Sequence, residues 1–361
     1  MMRDQRSVRN RIQRGAMKGV SDIASARYNE RYDSIRSLQQ YALRSADSAS
    51  RPTTKHRTRR AYASTLASNN PSLFPMSIQV WLGETPKQQF VAEYFHKLPF
   101  SRAGGGREFR HLGDWQALDE VLRGEGADVM LAERGRRRWD ALPRSAEAAQ
   151  SLVAGGCTVL VRHAERHHAG IARLAESFAA DFAAPVNVHV YVTPPGEFGF
   201  GWHYDAEDVF ILQAAGGKEY SLRKNTVNPW PLEETLPDDM RYEREIMPLM
   251  RCGLSAGDWL YIPAGYWHKA EGVGEKPSIS LAVGVMSPAA ITIYDRLRRR
   301  LLDSLLWRQR LPITGAASPL SKEELRARYR ELLAQLSGDL VRLLELDDFV
   351  DELVEHTSPK R

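Results

Sequence analysis

The sequence predicts an α+β chain: an antiparallel barrel or sandwich flanked by helices and followed by a helical C-terminal module. Three observations carry that reading. Between Cys157 and Val285 the apolar residues fall into short runs, "TVLVR", "NVHVYVT", "DVFILQ", "KEYSLR", "DWLYIP" and "SISLAVGV", most of them closed by glycine, proline or polar turn residues. Short strands so punctuated favour antiparallel pairing, because a parallel sheet needs a long crossover between neighbours. Upstream, two segments show the punctuation of capped helices, and beyond Pro288 the pattern turns leucine-rich and helical.

In chain order, residues 1–70 read as a basic, poorly ordered arm, with "RSADSASRPTTKHRTRRAYAS" as its linker. Residues 1–60 hold 15 Lys/Arg against 5 Asp/Glu, whereas the remaining 301 residues hold 35 against 40. The basic balance therefore belongs to the arm, which suits contact with nucleic acid, an acidic partner or an anionic membrane surface, or else is a solvated leader. Asp4, Asp22, Glu30 and Asp33 argue against an organelle presequence. Order is expected to begin near "SLFPMSIQVWL". Thr85 reads as the cap of a first helix, with Pro86 in its first turn and Phe90, Val91, Tyr94 and Phe95 as its buried stripe. "DWQALDEVLRG" repeats the logic, capped by Asp114 and stopped by Gly124. "ERGRRRW" gathers Arg134, Arg136, Arg137 and Arg138 in what reads as a solvated loop. "HAGIARLAESFAADF" is an amphipathic helix. Near the end, "IYDRLRRRLLDSLLW" is amphipathic, and Ser321 with Glu324 makes a capping box for "KEELRARYRELLAQL". Residues 289–361 thus read as a helical packing or homodimerisation module.

The 361 residues are 43% hydrophobic and 26% charged, ordinary for a folded chain with a sizeable core. No stretch approaches the roughly 20 apolar residues of a membrane span. No apolar segment follows the N-terminal charges, so a secretory leader is not expected either. Cys157 and Cys252 are too few for a disulfide framework or a cysteine zinc site, and two free thiols suit a reducing cytoplasm.

The chemistry concentrates in two segments. In "GFGWHYDAEDVFILQ", His203 and Asp205 stand two residues apart at a strand edge, where such positions share a face and Tyr204 points away. In "GDWLYIPAGYWHKAEG", His268 follows a strand and the tight turn Pro263-Ala264-Gly265. Two imidazoles and one carboxylate on one face of a metal leave the other positions open, the arrangement of non-haem Fe(II) oxygenases. A structural zinc site would leave none open. The tripeptide H-x-D is weak by itself; its weight comes from the distal histidine and the strand pattern between them. The other histidines carry plainer readings. His163, His167 and His168 offer polar capping at a strand-to-helix junction, and His96, His111 and His356 are isolated. Lys218 is either a solvated edge lysine or an inward cation, and the second choice requires an anionic ligand.

On "VYVTPPGEFGFGWHYDAEDVFILQAAGGKEYSLRK" and "GDWLYIPAGYWHKAEG", and more weakly on "GGCTVLVRHAERHHAGIARLAESF" and "FVAEYFHKLPFSR", the chain resembles the JmjC family of Fe(II)/2-oxoglutarate oxygenases. Within that family it is most similar to the ribosomal-oxygenase and bacterial protein-hydroxylase branch. The resemblance implies a cupin-type double-stranded β-helix (jelly-roll) core, placed as a catalytic domain over residues 71–288. Carried over residue by residue, His203, Asp205 and His268 would be the catalytic iron ligands, and Lys218 would hold the C5 carboxylate of 2-oxoglutarate. Tyr191 and Ser280 would contact the same cosubstrate. His189 stands where related enzymes often carry asparagine, which implies rearranged cosubstrate contacts.

The implied reaction couples the oxidative decarboxylation of 2-oxoglutarate by O2, giving succinate and CO2, to hydroxylation of a substrate C–H bond. A side chain of a protein or peptide is the first reading of the substrate. Demethylation of N-methyl-lysine by the same chemistry is an alternative, as is a cupin dioxygenase or metal-binding protein that does not use 2-oxoglutarate. A non-enzymatic barrel presenting the basic arm is a further one. Lys218 discriminates, since only the diacid gives it a reason to face inward. Trp202, Trp259 and Trp267 either wall the pocket or pack the barrel, and "TPPGEFGFG" is either a rim loop or a plain turn.

Overall fold

The structure is a computed structural model describing residues 76–138, 141–236, 247–312 and 320–357. The basic arm and its linker lie outside the described residues, all of which belong to one compact unit, Phe74–Arg361. Helices α1 (Ile78–Leu82) and α2 (Lys87–Glu93) precede strand β1 (Phe100–Arg102) and α3 (Trp115–Arg123). Then come β2 (Asp128–Glu133), β3 (Arg136–Arg138), α4 (Ala146–Ala154), β4 (Thr158–Arg162), α5 (Ala169–Phe182) and β5 (Val186–Thr193). The barrel continues with β6 (Asp208–Ala215), β7 (Gly217–Arg223), β8 (Met250–Ser255), β9 (Trp259–Ile262), β10 (Trp267–Val273) and β11 (Ser278–Val285). Helices α6 (Thr292–Leu301), α7 (Leu305–Arg308), α8 (Lys322–Leu344) and α9 (Asp347–Thr357) follow.

Among the described residues the strands form an eight-stranded sheet, β1-β9-β6-β11-β5-β4-β2-β3, and a three-stranded sheet, β10-β7-β8. Neighbouring strands run antiparallel throughout, the cupin-type double-stranded β-helix that the resemblance implies. Strand alternation sorts the side chains. On β11, Ile279, Leu281, Val283 and Val285 join Val188, Val190 and Val192 of β5 and Phe178 of α5 in the main core. The opposite face of the large sheet, with Val209, Ile211, Leu260 and Ala282, packs on Tyr220, Leu222 and Leu254 of the small one. Strands buried on both faces read as unbroken apolar runs, which is why β6 and β11 were plain in the sequence.

Helix α3 follows its expected punctuation: Asp114 Oδ1 accepts the Ala117 N–H at 2.8 Å, and Gly124 ends the helix. The first expected helix is corrected. Pro86 takes the cap position with an extended backbone, Thr85 lies outside, and α2 ends at Glu93. Phe90 is fully buried and Tyr94 and Phe95 partly so, but Val91 is 43% exposed. One step along a helix rotates about 100°, so Val91 leaves the face that Phe90 buries. The arginine segment is a strand, not a loop. Arg138 opposes Leu131 and Arg136 opposes Glu133 in a hairpin turned at Arg134-Gly135. The capping box at Ser321 forms as expected, with the Glu324 N–H donating to Ser321 Oγ at 3.2 Å and the Ser321 N–H to Glu324 Oε2 at 2.8 Å. Leu297 and Leu301 of α6 and Phe349 of α9 form a small core of their own. Cys157 and Cys252 form no disulfide. No described helix is long and apolar enough to cross a membrane.

Candidate metal centre

His203 and His268 meet through the backbone before their side chains do anything. His203 donates its N–H to the His268 carbonyl at 3.0 Å and accepts the His268 N–H at 2.8 Å, an isolated bridge between two distant segments. Directly paired residues of this kind bring their side chains to within about 5 Å. His268 is therefore a residue of β10, not of the turn before it, and His203 and Asp205 do not share a regular strand. Asp205 reaches the same place through its carbonyl, which accepts the Gly265 N–H at 2.8 Å. Gly265 has φ of 78°, and a Cβ there would fall 2.6 Å from the Pro229 carbonyl oxygen, so the turn requires glycine. Tyr204 points away as expected and meets Trp267 edge-on at 4.6 Å.

One ligand atom from each of His203, Asp205 and His268 lies within 4.8 Å of the others. His268 Nε2 is 3.4 Å from Asp205 Oδ2. His203 Nδ1 lies 2.8 Å from the Gly201 carbonyl oxygen and His268 Nδ1 3.1 Å from that of Tyr266. A carbonyl only accepts, so in both rings the proton sits on Nδ1 and the Nε2 lone pair is free for a metal. Burial, and then the neighbouring His203, pull His268 down to about 4, so its ring is neutral at neutral pH. Two neutral imidazoles and a carboxylate suit a divalent first-row metal such as iron. Among the described residues no fourth His, Cys, Asp or Glu completes the group, leaving room for small-molecule ligands.

Lys218 stands deeper on the same inward face. Across β7 and β10, Leu222 opposes His268 and Lys218 opposes Gly272. Lys218 is 3% exposed, donates to Ser280 Oγ at 3.1 Å and lies 5.4 Å from the centre of the Tyr191 ring. Burial pulls its ammonium down to about 7, and burial pushes the Tyr191 and Tyr220 hydroxyls up. Lys218, Ser280 and Tyr191 are thus brought together. His189 is held elsewhere on β5: its Nδ1 accepts the His163 N–H at 3.2 Å, with His163 in a left-handed conformation at φ 54°. Burial lowers His189 to about 4, and its proton is fixed on Nε2.

Other residues depart from expectation. Trp259 is fully buried in the main core, its Nε1 donating to the Trp81 carbonyl at 2.8 Å. Trp202 lines a cavity of about 400 Å³ on the outer face of the small sheet, with Glu219 and Lys269. Trp267 alternates with inward His268 and faces outward with Lys269 and Glu271. The "TPPGEFGFG" loop is braced by the arginine hairpin: the Arg134 and Gly135 N–H groups donate to the Phe198 and Gly199 carbonyls at 3.1 and 3.0 Å. Of the junction histidines, His168 caps α5 by accepting the Ile171 N–H at 3.2 Å, whereas His163 pairs with Glu165 at 3.3 Å. His96 is not isolated, because its Nδ1 lies 2.9 Å from Asp208 Oδ2. His111 Nδ1 contacts only the nearby Glu108 carbonyl, at 2.9 Å; the His356 side chain lies outside those described. Buried Asp208, held by Tyr261 and Ala264, and the Asn187–Glu207 pair were not anticipated.

The barrel and its three convergent side chains agree with the family comparison: residues 160–293 match the model of the JmjC domain. The chain is 28% identical over 284 residues to a protein of Dictyostelium discoideum named bifunctional lysine-specific demethylase and histidyl-hydroxylase NO66, covering 74% of this chain and 52% of that one. It is 22% identical over 284 residues to ribosomal oxygenase 1 of Danio rerio, covering 73% and 50%. Among solved structures it resembles YcfD, a ribosomal oxygenase from Escherichia coli in complex with cobalt and 2-oxoglutarate. That likeness, a TM-score of 0.50 at 18% identity over 74% of this chain and 69% of YcfD, is one of fold. The chain spans about half the length of the curated relatives it matches.

Proposed function

We propose that this chain is an Fe(II)- and 2-oxoglutarate-dependent oxygenase that hydroxylates a side chain of a protein or peptide. The observation that carries the reading is Lys218, a buried cation whose described contacts are a hydroxyl and an aromatic ring and include no carboxylate. A buried ammonium without an anion is costly. A five-carbon diacid reaching from the metal ligands to Lys218 would supply that anion. The names of the relatives, histidyl-hydroxylase and lysine-specific demethylase, support chemistry on a protein side chain.

When bound, iron and 2-oxoglutarate supply the activation of O2 for C–H hydroxylation. The chain's residues do the rest. His203 and His268 present Nε2 because backbone carbonyls hold their Nδ1 protons. Asp205 contributes the negative charge. Lys218 anchors the far carboxylate while Ser280 orients its ammonium. Ile211, Leu222, Leu254 and Ala282 line the barrel and keep water from that ion pair, which strengthens it.

Anaerobic Fe(II) plus 2-oxoglutarate should give a visible metal-to-ligand charge-transfer band; folded, iron-loaded protein without the band would sink the reading. Mass spectrometry of candidate proteins should then find a gain of one oxygen that Asp205→Ala does not produce. Loss of a methyl group instead would assign demethylation. The C-terminal module is read as a homodimer contact on the exposed Leu333, Val341, Leu344, Val350 and Val354 of α8 and α9. Light scattering of the full chain should give twice the chain mass, and a strictly monomeric mass would refute that contact. Two cysteines outside any disulfide suit a reducing cytoplasm.

A further inference from the structure

The cavity of about 400 Å³ on the outer face of the small sheet is not used by the proposed chemistry. Strand alternation separates it from the metal pocket. Lys269 and Glu271 face away from His268, and Glu219 and Ser221 face away from Lys218 and Tyr220. Across the strands the charges are sorted into two rows. Lys269 of β10 opposes Ser221 of β7, which in turn opposes Arg251 of β8. Two residues further along, Glu271 opposes Glu219. That step is about 7 Å along a strand, so a cationic row with a hydroxyl at its centre runs about 7 Å from an anionic one. Trp202 reaches the same cleft because its neighbour His203 bridges His268.

A solvated sheet face ordinarily sets opposite charges against each other. Here two carboxylates stand directly opposed, which destabilises a sheet unless a cation lies between them. The cations at hand answer this only in part. Arg251 reaches Glu219 at 3.4 Å and Lys269 reaches Glu271 at 3.7 Å, both longer than the roughly 2.8 Å of a close charge-assisted contact. Lys269 Nζ also lies 3.8 Å from the centre of the Phe198 ring, so its charge is shared with an aromatic face. Both rows keep capacity for a ligand of their own opposite sign.

We propose that this cleft binds a small dipolar molecule, an unblocked dipeptide fitting best, with its ammonium between Glu219 and Glu271 and its carboxylate on Lys269, Ser221 and Arg251. Length decides the class. The ends of an extended dipeptide are about 7 Å apart, at roughly 3.5 Å per residue, and match the spacing of the rows. A free amino acid carries both charges on one carbon and reaches one row only. A diacid would set a carboxylate against Glu219 and Glu271. Trp202 offers the C-terminal side chain of the dipeptide a flat apolar wall. The site goes beyond the oxygenase reading and does not depend on it.

The test titrates the dipeptide Ala-Leu calorimetrically into the full chain, once without metal and once with Mn(II) and N-oxalylglycine filling the barrel. The two affinities should be equal. Acetylating the amino group or amidating the carboxyl group should each weaken binding by at least about tenfold, the scale of one hydrogen bond to a charged group. Free leucine should be weaker by at least about the same factor. Paired variants assign the two ends. Glu219→Gln with Glu271→Gln should erase the discrimination against the acetylated dipeptide and keep that against the amidated one. Lys269→Gln with Arg251→Gln should do the reverse. Binding that requires Mn(II), or a wild-type chain that binds the free dipeptide no better than its blocked forms, would overturn the site, and that comparison stands even if a variant fails to fold. So would discrimination that survives in both paired variants.

Discussion

Replacing Lys218 with methionine should make the protein more stable and leave it unable to hold its diacid. The lysine titrates near 10.5 when exposed but at about 7 in the fold. Below about 7 both states are protonated and the penalty on folding is largest, on the order of 5 kcal/mol. Between about 7 and 10.5 the unfolded chain holds more protons, so the penalty shrinks as pH rises and is gone above 10.5. The stability gained by Lys218→Met, measured by denaturant titration, should follow that curve. Glu207, pushed up to about 8 by burial, titrates in the same window in both proteins, so the difference between them isolates Lys218. Tyr191 and Tyr220 stay protonated there because burial pushes both hydroxyls up. The diacid needs the ammonium form, so wild-type affinity should fall about tenfold per pH unit above 7. Lys218→Met should weaken cosubstrate binding by roughly 30-fold or more, the effect of truncating one partner of a buried charge pair. Read through the charge-transfer band, His203→Ala should abolish the signal altogether. A methionine variant with unchanged stability and an intact band would reduce Lys218 to packing.

The legible features are those whose signal is local. β6 and β11 are apolar on both faces, and α3 carries Asp114 and Gly124 at its ends. Strands β8 and β10 were hidden because they belong to the thin sheet, where Met250, Lys269 and Glu271 break the apolar run. The three candidate ligands do converge, although the local reason offered for their convergence was incomplete. His203 and Asp205 are aligned by the pairing with His268 and by the Gly265 turn, not by strand alternation. Asn187 had a signal that could have been used: β5 alternates Asn187, His189, Tyr191 and Thr193 with valines, so its polar face already pointed into the barrel. The pairing of His96 with Asp208 had none, because it joins residues far apart in sequence through the return of α2 onto the barrel rim.

Asp208→Ala is expected to cost about 3–5 kcal/mol of stability, the scale for breaking a buried, hydrogen-bonded charge network, and to weaken metal binding as well. Asp208 is 1% exposed. Its Oδ1 accepts from the Tyr261 hydroxyl and from the Ala264 N–H, and its Oδ2 faces His96 Nδ1. The Tyr261 oxygen in turn accepts the His96 N–H at 2.8 Å. Ala264 sits in the turn whose next residue, Gly265, holds the Asp205 carbonyl and whose far end opens β10 with His268. One carboxylate thus fixes the spacing between the third ligand and the first two. Outer groups that orient ligands typically contribute about 10- to 100-fold in metal affinity, and a loss of that size is expected on Fe(II) or Mn(II) titration. His96→Ala separates the roles. That side chain is 47% exposed, so its loss should cost under about 1 kcal/mol and leave metal affinity unchanged. If Asp208→Ala lowers stability while the metal binds as tightly as before, the turn is held by its own backbone and Asp208 is only a buried anchor for Tyr261.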